Sequence, residues 1–149
     1  MGDYESYFRL FKSSWGILIG FKGEILEMSE EFEMNDLIKI NDFLYLQLNI
    51  SNENKYIHNN KTKLENGIQW VSEIFPKQKK VLIKINEIDL NFCNFQIEGL
   101  FFGIASWICN YYKVEMPNYH STFDKDSNKY LFSFDENDEI SKKLLYPLS

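Results

Sequence analysis

Asn94-Phe-Gln-Ile-Glu-Gly-Leu-Phe-Phe-Gly-Ile-Ala-Ser-Trp-Ile-Cys-Asn-Tyr-Tyr-Lys113 is the strongest helical pattern in the chain. At about 100° per residue, Ile97, Leu100, Phe101, Ile104, Ile108 and Tyr111 fall on one stripe, the width a helix needs to face a core. Asn94 is a residue type that caps helix N-termini. Glu98 stands in the first turn, where the helix dipole favours a carboxylate. The stretch therefore predicts a helix over 94–113 with its stripe in the core. Gly99 and Gly103 align with Gln96, Ser106 and Asn110 on the opposite face. Each glycine costs about 1 kcal/mol against alanine in an exposed helix interior, so a close neighbour is expected there. That neighbour is either the N-terminal sheet or a partner accepted on a flat strip of small residues.

Around this helix the period changes. Downstream, Pro117 ends the region, and Tyr119–Phe123 with Lys129–Phe134 predict a hairpin about the turn Asp124-Lys-Asp-Ser-Asn128, whose side chains satisfy their own backbone. Upstream, Val81–Leu90 reads as a strand with Val81, Ile83 and Ile85 on one face. Leu64, Ile68, Val71 and Phe75 have helical spacing, and Pro76 stops that helix. Ser51 to Lys63 is almost wholly polar and reads as a loop or ragged edge hairpin. Phe43–Ile50 is a strand with Tyr45, Gln47 and Asn49 on its wetter face. Trp15–Phe21 and Glu24–Met28 read as a hairpin turning at Phe21-Lys22-Gly23. The expectation is one α+β domain over 1–149, a mostly antiparallel sheet with two helices packed on one side.

Composition bounds the function. The chain has 149 residues with 13 Phe, 9 Tyr and 3 Trp, enough aromatic surface for a real core and too much for a disordered tail. Its net charge is −6, and Arg9 is its single arginine. Nucleic-acid recognition leans on arginine forks and a positive stripe, so nucleic acid is not expected as a partner. The acidic start Met1-Gly-Asp-Tyr-Glu5 lacks the basic region of a secretory signal, and no apolar run reaches the ~20 residues of a membrane span. A cytoplasmic protein without a membrane partner is expected. Cys93 and Cys109 then read as reduced thiols.

Searches for chemistry in the residues end in bland readings. Asp124, Asp126 and Asn128 open like a calcium loop, but Lys129 replaces its glycine and Asp135 its closing glutamate, so a hairpin turn is expected. Cys93 with His120 is the pair available to a thiol hydrolase. No active-site motif surrounds Cys93, and Cys93, His58 and His120 lack the close spacing of a zinc site. Nucleotide and serine-hydrolase signatures are absent. No catalytic residue, metal or cofactor is expected, and the chain reads as a non-enzyme. The alternatives are that thiol hydrolase or an oligomerising scaffold domain using an edge strand and the glycine strip.

Charge is unevenly spread. Glu24, Glu27, Glu30, Glu31, Glu33 and Asp36 lie between Lys22 and Lys39 with no base among them, and Asp135, Glu136, Asp138 and Glu139 form a second cluster. Lys77, Lys79, Lys80 and Lys84 make a separate basic patch. An acidic field of this kind raises association rates and selects basic protein partners.

Phe95-Gln96-x-Glu98-Gly99-Leu100, Trp107, the turn Asp124–Asn128 and Tyr130-x-Phe132 together resemble the bacterial immunity proteins encoded beside polymorphic or contact-dependent toxins, over residues 81–134. The resemblance implies a cytosolic, non-enzymatic inhibitor that binds one cognate toxin and blocks its active site. From the charge layout, Glu27, Glu30, Glu31, Glu33 and Asp36, with Asp135, Glu136, Asp138 and Glu139 second, are the residues expected to meet a basic toxin. Phe102 or Trp107 is expected to add an exposed aromatic anchor.

Overall fold

The computed structural model describes residues 3–28, 37–91 and 95–147. The fold is α+β. A five-stranded sheet has the order β1-β2-β5-β4-β3, from β1 (Tyr4–Phe11), β2 (Gly16–Met28), β3 (Ile38–Lys39), β4 (Leu44–Leu48) and β5 (Lys80–Leu90). A separate hairpin pairs β6 (His120–Asp124) with β7 (Lys129–Ser133). The helices are α1 (Lys55–Asn59), α2 (Lys61–Trp70), α3 (Glu98–Tyr112) and α4 (Glu139–Leu145). The large sheet is antiparallel except at β4–β5, whose parallel pairing follows a crossover through α1 and α2.

Four local expectations are corrected. Trp15 to Met28 is not a hairpin: β2 runs straight through Phe21-Lys22-Gly23, and its hairpin partner is β1, joined by a four-residue turn over 12–15. Gly23 sits instead at a register shift between β2 and β5. A Cβ there would lie 1.9 Å from the Lys84 carbonyl oxygen, so this glycine permits a close backbone approach. The polar stretch 51–63 also holds a helix, α1, capped by Asn54, whose side chain accepts from the Ile57 N–H (3.2 Å). One fully buried residue, Ile57, fastens that short helix to the core, so its sequence carries almost no hydrophobic signal. On β4, Tyr45 is buried rather than wet.

The fourth correction concerns α3. Its side chains are buried all round from Glu98 to Cys109, not along one stripe. Gly99 meets Ile17 and Phe95, and Gly103 meets Ile19 and Phe21, so the glycine face lies under β2. The N-terminal sheet is thus the neighbour, and the strip is not open to a partner. On its other side α3 meets α2 at Gly67, where a Cβ would lie 2.5 Å from the Phe101 carbonyl oxygen. Phe102 stacks with Phe132 and Tyr119 (centroids 4.6 Å from each). The aromatic excess of the composition is spent on this central helix and what wraps it. Asn94 lies outside the described residues, and the helix begins at Glu98.

Candidate functional site

Of the first acidic run, Glu30, Glu31, Glu33 and Asp36 lie outside the described residues. Glu24 and Glu27 lie on β2, and β5 brings the basic patch alongside them. Lys84 Nζ is 3.6 Å from Glu24 Oε1, and Lys79 Nζ is 3.4 Å from Glu27 Oε2. Glu24 and Glu27, the described part of the acidic run, are thus neighbours of the basic patch, although the two are separate in sequence. The Lys79–Glu27 pair is exposed and adds at most about 1 kcal/mol to stability, while the Lys84–Glu24 pair is half-buried; both reduce the local field that a docking surface would need. Glu27 therefore presents less negative potential than its sequence neighbourhood suggests.

The second cluster is different. Asp135, Glu136, Asp138 and Glu139 run from the end of β7 into α4 and edge an open groove of about 390 Å³. Phe132, Phe134 and Tyr146 give the groove an apolar lining. Asp138 caps α4: its Oδ1 accepts from the Ser141 N–H (3.1 Å) and its Oδ2 from the Ser141 hydroxyl (2.7 Å). The Trp70 indole N–H donates in turn to Ser141 Oγ (2.9 Å), fastening the cap to α2. Asp135 Oδ1 lies 2.8 Å from His120 Nε2, both exposed. No lysine or arginine among the described residues pairs with Glu136 or Glu139, although Lys142 borders the same groove. The groove is a rigidly held rim of carboxylates around aromatic carbon.

Behind it lies a polar knot that the sequence did not announce. Glu98, at the start of α3, accepts from the Tyr146 hydroxyl (2.7 Å) and the Gln96 amide (3.1 Å). Lys63 donates to the Leu145 carbonyl and lies over the Tyr146 ring (5.2 Å). Burial together with the Glu98 hydrogen bond raises Tyr146 well above the ordinary phenol range. These contacts hold the end of the described chain against the core. They anchor one wall of the groove.

The residues that carry the family resemblance are clamps. Gln96 binds the Tyr130 backbone twice, accepting from its N–H (2.8 Å) and donating to its C=O (2.7 Å), as a strand neighbour would. Tyr130 donates to the Trp15 carbonyl (2.7 Å) and accepts from the Lys12 N–H (2.8 Å). The Trp107 indole donates to the Tyr4 carbonyl (3.0 Å). Trp107 and Phe102 are fully buried, which corrects the expectation that either is an exposed anchor. Each is held in the core because α3 is enclosed on every side. Among the described residues the exposed rings are instead Tyr4, Tyr7 and Phe11 on β1, with Phe43 and Tyr146 elsewhere.

Cys93, the nucleophile of the thiol alternative, lies outside the described residues. Cys109 is buried, and burial pushes its thiol up to about 11, away from reactivity at neutral pH. His58 Nε2 lies 3.0 and 3.1 Å from the Ile50 and Ser51 carbonyls, closing the loop before α1. The run Asp124–Asn128 is a hairpin turn with Asn128 in the left-handed region (φ 54°). Ser127 and backbone N–H groups hold the Asp124 carboxyl below the ordinary range.

Comparison with known protein families, characterised proteins and solved structures finds no match to the chain. No helix among the described residues is long and apolar enough to cross a membrane.

Proposed function

We propose that this chain is a non-enzymatic immunity protein of the bacterial cytoplasm that binds a cognate protein toxin and blocks its active site. The groove between β7 and α4 is the surface on which the toxin's basic residues dock. The supporting observation is the set of four carboxylates within five positions, Asp135 to Glu139, around an aromatic lining, with its helix capped and latched from behind. Carboxylates fixed in this way steer a lysine- or arginine-rich surface into encounter and select it over neutral ones. The aromatic lining accepts the aliphatic stems of the same side chains.

Co-expression with the product of the adjacent upstream reading frame tests this. The expected outcome is rescue of growth from a toxic neighbour and co-purification of the pair. Glu136→Lys with Glu139→Lys should slow association most at low salt, where the Debye length is longest. A neighbour that is not toxic, or a pair that fails to associate, overturns the proposal. Unchanged association kinetics in the double variant remove the groove from it.

A further inference from the structure

The two edges of the large sheet are guarded unequally. At one edge β3 is only two residues long. At the other, β1 runs for eight residues in unbroken register with β2, without a proline, a bulge or a lysine. Those are the usual devices by which edge strands avoid pairing with another chain. Tyr4, Tyr7 and Phe11 are all exposed on this one strand. The free edge of β1 is therefore a pairing template, and its sequence says for what.

Alternation along β1 sends Phe8 inward against Phe102 (centroids 6.2 Å) and leaves Glu5, Tyr7, Arg9 and Phe11 on the face away from the helices. Tyr7 leans away from the edge, its ring over Gly20 and its hydroxyl donating to Asp89 (2.6 Å). Arg9 lies over the Phe11 ring (4.4 Å), opposite Leu18 on β2, and makes no ion pair among the described residues. We infer that β1 pairs antiparallel with β1 of a second copy of this chain, centred on Tyr7, joining two five-stranded sheets into one. In that register each residue faces its mirror position across Tyr7. Glu5 then opposes Arg9 of the second copy on the open face, and Arg9 opposes its Glu5, so both charge pairs form through one two-fold axis.

The same centring pairs residues of like parity, so Ser6 and Phe8 of the two copies form the central rungs, while the Tyr4 carbonyl, already held by the Trp107 indole (3.0 Å), marks where the new ladder ends. A shift of the centre to Phe8 sets Arg9 against Tyr7 and leaves the charges unmatched. A shift to Ser6 brings Asp3 opposite Arg9, but Asp3 already accepts from the Asn86 amide (2.9 Å). Glu5 stands opposite Lys22 on β2 but forms no ion pair with it among the described residues, which leaves its carboxylate on the same strand for Arg9 to meet.

Sedimentation equilibrium of the full chain from micromolar to hundreds of micromolar tests this. A concentration-dependent dimer is expected. Arg9→Glu and Glu5→Arg should each weaken it by about tenfold or more, because each reversal acts at both copies, and combining them should restore it. In a Cys93→Ser background Tyr7→Cys should self-link, its Cα atoms standing about 4.5–5.5 Å apart, within disulfide range. Glu5→Cys should not, because its mirror position is Arg9. If a charge variant fails to fold by circular dichroism, this cross-link decides the register alone. A chain monomeric throughout, a dimer indifferent to both single reversals, or cross-linking at Glu5→Cys but not at Tyr7→Cys overturns the inference. So does a monomer whose β1 captures only a foreign extended strand.

Discussion

Gln96→Ala removes the clamp between the start of α3 and the hairpin. The side chain makes two short hydrogen bonds to Tyr130, 2.7 and 2.8 Å, and a third to Glu98 at 3.1 Å. Tyr130 is fully buried, so its backbone groups gain water only if the hairpin lifts. Losing each of the two Tyr130 bonds costs about 1–2 kcal/mol, between the net value of a hydrogen bond and the penalty of a group left buried, so a loss of about 2–4 kcal/mol is expected. For a domain of this length, about 2–4 °C per kcal/mol makes the fall in Tm about 5–15 °C, read by calorimetry. Gln96→Glu is the sharper control. It keeps the acceptor for the Tyr130 N–H but turns a carboxylate oxygen toward the Tyr130 carbonyl and toward Glu98. Its folded-state pKa is therefore raised, so its destabilisation is greatest at high pH and fades as pH falls through that value. A Tm within about 2 °C of wild type for Gln96→Ala would refute the clamp, leaving the hairpin held by its aromatic contacts alone.

Three further outcomes follow from local geometry. Lys113 ends α3 in the left-handed region (φ 58°), and Lys113→Gly should stabilise the chain by about 0.5–1 kcal/mol in urea unfolding. Asp138→Ala should cost about 1–2 kcal/mol by removing the cap of α4, while Asp138→Asn recovers most of it. Burial pushes Tyr112 up to about 12, so its neutral form favours the folded state. That contribution is complete below the ordinary tyrosine value of 10.0 and is lost as pH rises toward about 12, which ultraviolet titration alongside thermal unfolding will show.

The fold class was legible in the sequence because periods of two and 3.6 survive in its longest elements. Val81, Ile83 and Ile85 do share a buried face, and Leu64 and Ile68 do line a buried helix. What misled was glycine. Gly23 has the look of a turn residue, yet it serves a close contact with Lys84 that only the pairing of β2 with β5 creates. Gly99 and Gly103 marked a close neighbour correctly, but local spacing could not reveal that α3 has neighbours on every side. Phe102 and Trp107 looked available for the same reason. A stripe argument assumes one wet face, and this helix has none along most of its length.

The candidate site was legible only as charge, and long-range pairing redistributes charge. The lysines of β5 and the glutamates of β2 lie far apart in the chain but within 4 Å in the sheet, so the longer acidic run is partly neutralised where it is described. In the shorter C-terminal run, Glu136 and Glu139 form no ion pair with a lysine or arginine among the described residues, although Lys142 lines the same groove, so less of its charge is neutralised by direct pairing. Meanwhile Gln96, Trp107 and Tyr130 are consumed in joining α3 to the hairpin and to β1. Residues occupied in this way can mark a shared scaffold without marking a partner. On the two proposals, partner choice lies with side chains the scaffold leaves free: Glu136 and Glu139 in the groove for a basic toxin, and Glu5 and Arg9 for a second copy of the chain. Because groove and edge use different residues, reversing the charge of one should leave binding at the other intact.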